Sequence, residues 1–584
     1  MTAEQTKIAE ESHVKAPWLN VYGVVPPHLD YPDCTMYEAV ERWAETYPNH
    51  TAYVFMGRKT TYRAMAAEID LCARALKATG VRPGDRITMA MPNCPQAVIM
   101  FYAINLVGAT ANMIHPLSSE KEIEFYLKES GSIFAVTLDQ FYHKFEAIRQ
   151  NVTLDNIILA SIPDALSKPV RVGYMLTEGR KQAKIPKDAP VLRWNEFLRR
   201  GRGYHWTYRA ERRAGDEAVI LYSGGTTGVT KGIQLTNLNF NALGKQIIAT
   251  NPMFRPGDKM LAVMPMFHGF GLGVSIHSML VSGGCCILVP RFTPDSYAKL
   301  LLKYRCNLIA GVPTLYEALL RLPKMKNADL SCLKGVYSGG DSLSVELKKR
   351  FDQFLFDHHA TIQVREGYGL TECVTASCLT PYHISREGSI GIPFPDTYYK
   401  IVEHGTQKEV PYGTEGEICL SGPTVMMGYL HHPEETAQTL QTHEDGLTWV
   451  HTGDLGYMDP DGFVYFRQRL KRMIVTSGYN VYPSQMENIL DAHELVQMSC
   501  VIGVPDPLKM QKVKAFVMLK PGVPANEETK AVLMAYIRKN VAKYALPYDI
   551  EFRAELPKTL VGKVAYRVLE EEELKKLSET AQEQ

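Results

Sequence analysis

Apolar residues in the first 140 positions recur with two periods, one typical of amphipathic helices and the other of strands. Gly80 and Gly108 follow two of the helical stretches, at positions where helices commonly end. The pattern predicts helices over Tyr37–Tyr47, Tyr62–Thr79 and Gln96–Val107, and strands over Arg86–Met91 and Ile133–Leu138. Because helices and strands alternate, we expect an α/β fold with parallel layers.

The longest apolar stretch, Leu261–Pro290, is interrupted by His268, His277 and several glycines. It therefore predicts buried strand and turn and no membrane-spanning helix. Residues Met1–Pro17 mix glutamate and lysine without an apolar core, so no secretory signal is expected.

A chain of 584 residues exceeds what one hydrophobic core usually organises, so at least two domains are expected. Residues 1–30 are rich in proline and charge, which indicates a loose N-terminal tail. A basic cluster at Arg467–Arg472 follows a turn rich in glycine and aspartate. We therefore predict a large domain over 31–469 and a small C-terminal domain over 470–584.

Composition excludes some classes of protein without indicating a function. The chain is 45% hydrophobic and 22% charged, as in ordinary globular proteins. Its 64 basic and 63 acidic residues nearly balance, so net charge gives no argument for a nucleic-acid partner. The 11 cysteines have neither a zinc-binding spacing nor a disulfide framework, which favours a cytoplasmic location.

An apolar strand leads into a loop of glycines, hydroxyl residues and one lysine between Tyr222 and Gly232. Such a loop suits a polyphosphate, because glycine lets backbone N–H groups approach while the hydroxyls and the lysine bind the oxygens. It is not a Walker A loop, since Thr230 precedes the lysine and Gly232 follows it. A plain hairpin turn is the structural alternative. The predicted phosphate ligands are Ser223, Gly224, Gly225, Thr226, Thr227, Gly228 and Lys231.

This loop and a series of later motifs resemble the adenylate-forming superfamily of acyl-CoA synthetases, luciferases and peptide-synthetase adenylation domains, with long-chain fatty acid:CoA ligases as the most similar branch. Thr230 replaces the proline that is usual in the family's loop. The motifs recur in the family's order between Tyr37 and Arg567. They are Pro265-Met266-Phe267-His268, Ser338-Gly339-Gly340-Asp341, Gly367-Tyr368-Gly369-Leu370-Thr371-Glu372, Gly416-Glu417 with Gly428-Tyr429, His451-Thr452-Gly453-Asp454, Arg469 with Lys471 and Gly478-Tyr479-Asn480, and Pro557-Lys558-Thr559 with Gly562-Lys563.

The resemblance implies a large N-terminal domain of layered α/β subdomains and a smaller, mobile α+β C-terminal domain. It also implies a two-step reaction in which a carboxylic acid and ATP give an acyl-adenylate and pyrophosphate, and coenzyme A then takes the acyl group. ATP, Mg²⁺ and coenzyme A are the expected cofactor and co-substrates. Since two anions must meet, most of the catalysis should come from positioning and charge neutralisation.

Roles for individual residues follow from the same resemblance. Lys563 would bridge the substrate carboxylate and the α-phosphate, Glu372 would hold Mg²⁺, and Asp454 would accept from the ribose hydroxyls. Thr371 and His268 complete the catalytic group, although His268 beside Phe267 also fits a packed core residue. The remaining nucleotide ligands are Gly339, Gly340, Asp341, Tyr368, Gly369, Arg469, Lys471 and Gly478. The acyl pocket is predicted from His268, Phe270, Val274, Gly311, Val312, Thr314 and Gly339.

The hinge between the domains, residues 468–472, departs from the family pattern. Gln468 stands where glycine is common, and Arg472 stands where aspartate is frequent. For Lys471 a hinge role and a solvated charge remain equally open. The family exchanges its Lys563 loop for its Gly478 loop by rotating the small domain, so a different hinge makes the thioester step less secure than adenylation.

The acid itself is inferred from the apolar stretch. Peptide-synthetase adenylation domains carry an aspartate near the position of His268 that pairs with the α-ammonium group of the substrate. This chain has no acidic residue between Leu261 and Pro290, so the resemblance argues against an amino acid. We predict a long- or medium-chain fatty acid, with an aryl acid as the alternative. Transfer to a carrier protein, luciferase-like oxidation and a non-catalytic acyl- or nucleotide-binding role are the other functions left open.

Thirteen basic and four acidic residues lie between Lys168 and Arg213, interleaved with aromatic side chains. This basic segment suits contact with an anionic membrane surface. A solvated insertion that pairs with the acidic remainder of the chain, and a dock for the 3′-phosphate of coenzyme A, are the alternatives. A homodimer is also left open.

Overall fold

The structure, a computed structural model of the chain, describes residues 14–177, 179, 185–186, 188–222, 230–476, 479–506, 508–559 and 562–582. Its first sheet has nine strands, of which the central six run parallel. In spatial order the strands are Ile392–Pro393, Cys378–Leu379, Val364–Tyr368, Gly335–Ser338, Leu308–Gly311, Lys259–Ala262, Cys285–Leu288, Thr51–Phe55 and Arg58–Thr61.

A second sheet of eight strands is also parallel over six of them. Its spatial order is Gly428–Tyr429, Gly232–Thr236, Glu217–Tyr222, Thr110–Met113, Arg86–Ala90, Phe134–Leu138, Asn156–Ala160 and Leu192–Arg193. The largest hydrophobic core includes side chains from both sheets and from the helix Pro95–Leu106, in which every residue is buried. That helix is largely apolar on all sides, as expected within a core, and its buried polar side chains Gln96 and Asn105 are hydrogen-bonded.

Two smaller sheets complete the chain. The third is antiparallel and contains Tyr398–Val402, Gly416–Ser421, Thr448–Met458 and Leu440–Thr442, with Val464–Arg469 beside Thr448–Met458. The fourth, in the C-terminal part, contains Tyr479–Val481, Ile474–Thr476, Met510–Leu519 and Val496–Asp506, with Asp549–Phe552 beside Met510–Leu519. Each has its own buried cluster, so the fold is α/β with a large N-terminal and a smaller C-terminal domain.

Helices cover the sheets in both domains. In the large domain they are Met36–Thr46, Tyr62–Ala78, Pro95–Leu106, Glu120–Ser130, Tyr142–Ala147, Lys168–Leu176, Trp194–Arg202, Asn237–Ala249, the π-helix Phe270–His277, Ser278–Leu280, Pro294–Tyr304, Pro313–Leu320, Val345–Asp357 and Pro433–Thr439. In the small domain they are Pro483–Asp491, Glu527–Asn540 and Tyr566–Gln582. Short 3₁₀ turns are Pro17–Val21, Asp139–Phe141, Arg149–Asn151, Ile162–Ala165, Pro323–Met325, Thr371–Cys373, Leu470–Arg472 and Lys543–Ala545. Within the described ranges, none of these helices combines the length and the apolar character that crossing a bilayer needs.

The predicted helices and strands of the first 140 residues are confirmed to within two residues at each end. The prediction for Leu261–Pro290 was partly wrong, because strands at Lys259–Ala262 and Cys285–Leu288 flank a helical segment over Phe270–Leu280. Periodicity alone does not separate a buried strand from a buried helix when every position is apolar.

Residues 17–25 differ from the expected loose tail. Trp18 is 1% exposed, and Tyr22 and Val25 are also buried against the third sheet. The mixed charge of this part of the chain gave no periodic signal, but three apolar side chains hold residues 17–25 on the core. The position of the other predicted boundaries remains a prediction.

The basic segment divides into two parts. Trp194 and Phe197 are buried in the main core, and Arg209 forms an ion pair with Glu41. This part therefore fits the solvated, charge-paired interpretation. The helix Lys168–Leu176, in contrast, has no buried residue and exposes Val172 and Leu176.

Replacing Trp18 with alanine tests whether the N-terminal segment belongs to the core. We expect Trp18→Ala to destabilise the protein by about 3–5 kcal/mol, the usual cost of removing a buried tryptophan. Denaturant unfolding measures the change, with Val24→Ala as the control because Val24 is 68% exposed. Equal midpoints for the two variants would show that the segment does not contribute to stability.

Candidate active site

A cleft of about 1250 Å³ lies between the large and small domains. Most of the predicted site residues line it together, although they come from distant parts of the sequence. They are His268, Phe270, Val274, Val312, Thr314, Gly339, Gly340, Asp341, Tyr368, Gly369, Thr371, Glu372, Asp454, Arg469 and Lys563. Their individual roles remain predictions.

Asp454 is a carboxylate buried at the floor of this cleft, with 1% of its surface exposed. It faces Arg469 directly across the antiparallel pair of the third sheet, and Arg469 Nε lies 3.0 Å from its Oδ1. The Tyr368 hydroxyl, at the end of a strand of the first sheet, donates to its Oδ2 at 2.6 Å. Burial raises the pKa of Asp454, whereas Arg469 and the Tyr368 hydrogen bond oppose that rise. The result is a fixed hydrogen-bond acceptor at this position.

Lys563 enters the cleft from the small domain on a short loop. The Thr314 hydroxyl donates to the carbonyl of Gly562 at 3.1 Å, and the amide of Val564 lies 3.4 Å from Asp341 Oδ2. These contacts place the lysine side chain against Gly340, whose φ of +81° favours glycine. A Cβ at that position would stand 3.3 Å from Lys563 Cε. Burial lowers the pKa of Lys563, and the nearby Asp341 opposes the change.

His268 stands in the cleft as a neutral imidazole. Burial, and then the positive charge of Lys563, lower its pKa to about 3. Its Nδ1 accepts a hydrogen bond from the amide of Phe270 at 3.2 Å, so the ring proton belongs on Nε2. His268 therefore presents a donor and no charge.

Glu372 is held by a residue for which the sequence suggested no role. The Tyr429 hydroxyl donates to Glu372 Oε1 at 2.8 Å, and Lys231 Nζ lies 5.0 Å from the centre of the Tyr429 ring. Lys231 also pairs with Glu435 at 3.4 Å. Tyr429 thus stands between the Lys231 ammonium and the Glu372 carboxylate, and of these three residues only Glu372 lines the cleft.

Apolar side chains line another part of the cleft. They all belong to the large domain and are all buried: Ile247, Met264, Phe270, Val274, Tyr337, Leu379 and Phe394. Gly311 is not among the lining residues, contrary to its predicted place in the acyl pocket. A Cβ there would meet Leu315 Cδ2 at 2.2 Å, so the space beside Gly311 is already filled.

Some predicted ligands are not placed at the cleft. Lys471 is exposed in the hinge turn and does not line it. Ser223, Gly224, Gly225, Thr226, Thr227, Gly228 and Gly478 lie outside the described residues.

Sequence reasoning also missed positioning groups behind the site. Glu417 accepts from the amide of Gly453 at 2.9 Å, and the Thr452 hydroxyl donates to the carbonyl of Ile418 at 2.7 Å. These bonds fix the part of the strand Thr448–Met458 that carries Asp454. Glu417 belongs to a recognised motif, but no sequence signal shows that its partner is a backbone amide more than thirty residues away.

The profile of the AMP-binding enzyme family matches residues 40–430, and that of the AMP-binding enzyme C-terminal domain matches residues 485–563.

Relatives extend the similarity over nearly the whole chain. A long-chain-fatty-acid–CoA ligase of Bacillus subtilis (strain 168) is 36% identical over 565 residues, 95% of this chain and 98% of its own. The corresponding ligase of Salmonella typhimurium is 33% identical over 570 residues, 96% of this chain and 98% of its own.

Solved structures agree with the fold. An anthranilate CoA ligase in complex with anthranoyl-AMP matches with a TM-score of 0.79 at 26% identity, covering 93% of this chain and 97% of that one. ATP-bound MatB from Rhodopseudomonas palustris matches with a TM-score of 0.78 at 25% identity, covering 92% of this chain and 99% of that one.

Replacing Tyr368 with phenylalanine tests Asp454 as the acceptor of nucleotide hydroxyls. Because the Tyr368 hydrogen bond lowers the pKa of Asp454, its loss raises that pKa, and the carboxylate becomes protonated at a higher pH. We expect ATP binding to weaken as pH falls, and to do so at higher pH in Tyr368→Phe than in the wild type. Calorimetry between roughly pH 5 and 8 measures this. Tyr465→Phe, whose hydroxyl faces Asp459, is the control, and identical pH profiles for all three proteins would contradict the role.

Proposed function

Because the chain belongs to the AMP-binding enzyme family, we propose that it is an AMP-forming acid:CoA ligase that acts on long-chain fatty acids. In the first step a carboxylate oxygen attacks the α-phosphorus of ATP, and pyrophosphate leaves. In the second step the thiol of coenzyme A attacks the acyl carbon, and AMP leaves.

The position of Lys563 is the observation that carries the proposal. Its side chain lies against Gly340, at the wall of the cleft that also holds Tyr368 and Asp454. A cation between a nucleotide site and an apolar cavity stands where a carboxylate and an α-phosphate would meet. It would neutralise the charge that separates the two reactants, and a low-dielectric cleft strengthens this effect.

The substrate class is supported by the relatives and by the cavity lining. Both bacterial relatives reported above are named long-chain-fatty-acid–CoA ligases and are matched over nearly their full length. The buried apolar side chains that line the cleft, among them Ile247 and Phe394, suit an alkyl tail better than a polar acid. The absence of any acidic residue between Leu261 and Pro290 agrees with this.

Glu372 fits a magnesium ion that arrives with ATP. Mg²⁺ is usually bound by one or two carboxylates together with substrate phosphates, so a single glutamate is a sufficient protein ligand. Tyr429 occupies one carboxylate oxygen of Glu372, and this orients the group. When bound, the ion would neutralise phosphate oxygens, while Lys231 and the loop Ser223–Gly228 would hold the phosphate end of the nucleotide.

ATP–pyrophosphate exchange with acids of increasing length tests the proposed activity. Exchange should be fastest with long-chain acids, and product formation should require coenzyme A. A preference for acyl carrier protein as acceptor, or for aryl acids as substrates, would replace the proposal by one of the alternatives.

Peripheral contact with an anionic membrane is proposed for the helix Lys168–Leu176 alone. This helix carries Lys168 and Arg171 together with exposed Val172 and Leu176. Its position on the surface leaves it accessible to a bilayer in which long-chain acids partition. A cytoplasmic location is likewise proposed, supported by eleven free cysteines. The homodimer stays a prediction.

Lys563→Ala tests the division between the two steps. We expect adenylation to fall by about a hundred- to a thousandfold, the range for one transition-state donor. Conversion of supplied acyl-AMP and coenzyme A should be spared, because that step does not need the lysine. Loss of both activities to the same extent would contradict the assignment. Lys558→Ala, a lysine of the same motif that does not line the cleft, is the matched control.

Val274→Phe tests the apolar lining as the acyl pocket. Val274 is 2% exposed and faces the cleft, so a larger side chain should raise KM for palmitate and spare butyrate. Steady-state kinetics with both acids measures the effect, with Val532→Phe, at an exposed valine of the small domain, as control. An equal loss for the two acids would mean that Val274 does not contact the tail.

Sedimentation with vesicles tests the membrane proposal. Replacing Val172 and Leu176 with serine should reduce binding to anionic vesicles, and raised salt should reduce it further, since screening weakens the basic contribution. Equal binding to anionic and neutral vesicles, or unchanged binding after both substitutions, would contradict the membrane proposal. Trp206→Ser, an exposed aromatic outside this helix, serves as the control.

A further inference from the structure

Gln468 makes two hydrogen bonds across the boundary between the domains. It is the penultimate residue of the strand Val464–Arg469 and is 1% exposed. Its Oε1 accepts from the backbone amide of Ser484 at 3.1 Å and from the Ser484 hydroxyl at 2.7 Å. The strand belongs to the third sheet and Ser484 to the small domain, so both bonds span the hinge.

Ser484 needs such a partner because of its place in its helix. It is the second residue of Pro483–Asp491, and the first amides of a helix have no acceptor within the helix. Pro483 has no amide hydrogen, and Tyr482 makes no side-chain cap. Gln468 therefore caps a helix of the small domain from within the large domain, and breaking this contact leaves buried polar groups unsatisfied.

Arg472 fixes the other side of the hinge. Its guanidinium forms an ion pair with Glu487 of the same helix and lies 4.7 Å from the centre of the Tyr566 ring. It also lies 3.4 Å from the carbonyl of Val501. Arg472 thus moves with the small domain, whereas Gln468 stays with the large one. The backbone between them, residues 469–471, is therefore the segment whose rotation would change the orientation of the small domain.

The same orientation of the small domain brings Lys563 into the cleft. Ser484 and Lys563 belong to one domain, so the arrangement that bonds Ser484 to Gln468 also brings Gly562 to Thr314 and Val564 to Asp341. A rotation of the small domain would separate all three pairs. Glycine, which is common in the family at this position, offers no acceptor to Ser484.

We propose that Gln468 is a positioning residue that latches the small domain in the orientation for adenylation. The inference rests on the proposed function, because it assigns this orientation to the first half-reaction. Loss of the latch should free the small domain to leave the cleft, which slows adenylation and leaves the thioester step intact or faster.

The two half-reactions, measured separately, test this role. Gln468→Ala should slow ATP–pyrophosphate exchange with palmitate by about tenfold, the effect expected from losing a buried hydrogen bond or two. Conversion of supplied palmitoyl-AMP with coenzyme A should not slow. Gln468→Glu should restore exchange, since a carboxylate oxygen still accepts from Ser484 and suits a helix N-terminus. Gln407→Ala, at an exposed glutamine, is the matched control.

Hydrogen exchange gives a readout that does not need activity. The amide of Val564 faces Asp341 across the domain boundary, so a peptide covering residues 562–566 should exchange faster in Gln468→Ala than in the wild type or Gln407→Ala. Unchanged exchange in this peptide, or equal slowing of both half-reactions, would overturn the latch. A wild-type protein without pyrophosphate exchange on any acid would instead refute the proposed function, and the hydrogen-exchange result would still decide on the latch.

Discussion

The arrangement of the site depends on a cation that one domain supplies to a cleft built mainly by the other. Lys563 reaches Gly340 only because Thr314 and Asp341 of the large domain bind the backbone on either side of it. Burial lowers the pKa of this lysine, and Asp341 opposes the loss of charge. A charge brought from a separate domain is removed when that domain moves. Under the proposed function, one fold would thereby offer a strong electrostatic environment to adenylation and a different one to the following step.

Asp454, in contrast, is held entirely by residues of the large domain. The register of the third sheet sets Arg469 directly opposite it, and Tyr368 arrives from the end of a strand in another sheet. A buried carboxylate is costly unless it is paired and hydrogen-bonded, and both conditions are met here. Its neighbour Gly453 is fixed in turn by Glu417. The surroundings of Asp454 are therefore fixed within the large domain, whereas those of Lys563 depend on contact between the two domains.

The sequence allowed the elements and the motif residues to be predicted, but not all of their surroundings. Helices such as Tyr62–Ala78 were found because their apolar stripes have a clear period. The helix Phe270–Leu280 was missed because an entirely apolar segment has no stripe, and Gly311 was misplaced because nothing local shows that Leu315 fills the adjacent space. Trp18 illustrates the same limit, since its burial depends on a sheet about 400 residues later. Motif identity places a residue in a site, whereas packing and hydrogen-bond partners are properties of the fold.

The strength of the contact between Gln468 and Ser484 limits how far one orientation of the small domain is favoured over the other. A latch worth one or two hydrogen bonds, about 1 kcal/mol each, biases the two domain orientations by roughly five- to thirtyfold. This bias would populate the adenylation orientation before substrates bind. It is small enough that the loss of contacts to pyrophosphate, once that product leaves, could reverse the preference. A much stronger latch would hold the small domain in place after acyl-adenylate has formed, and the thioester step would become slow. Two hydrogen bonds from one buried glutamine oxygen to Ser484 lie within the range that a two-step enzyme can use.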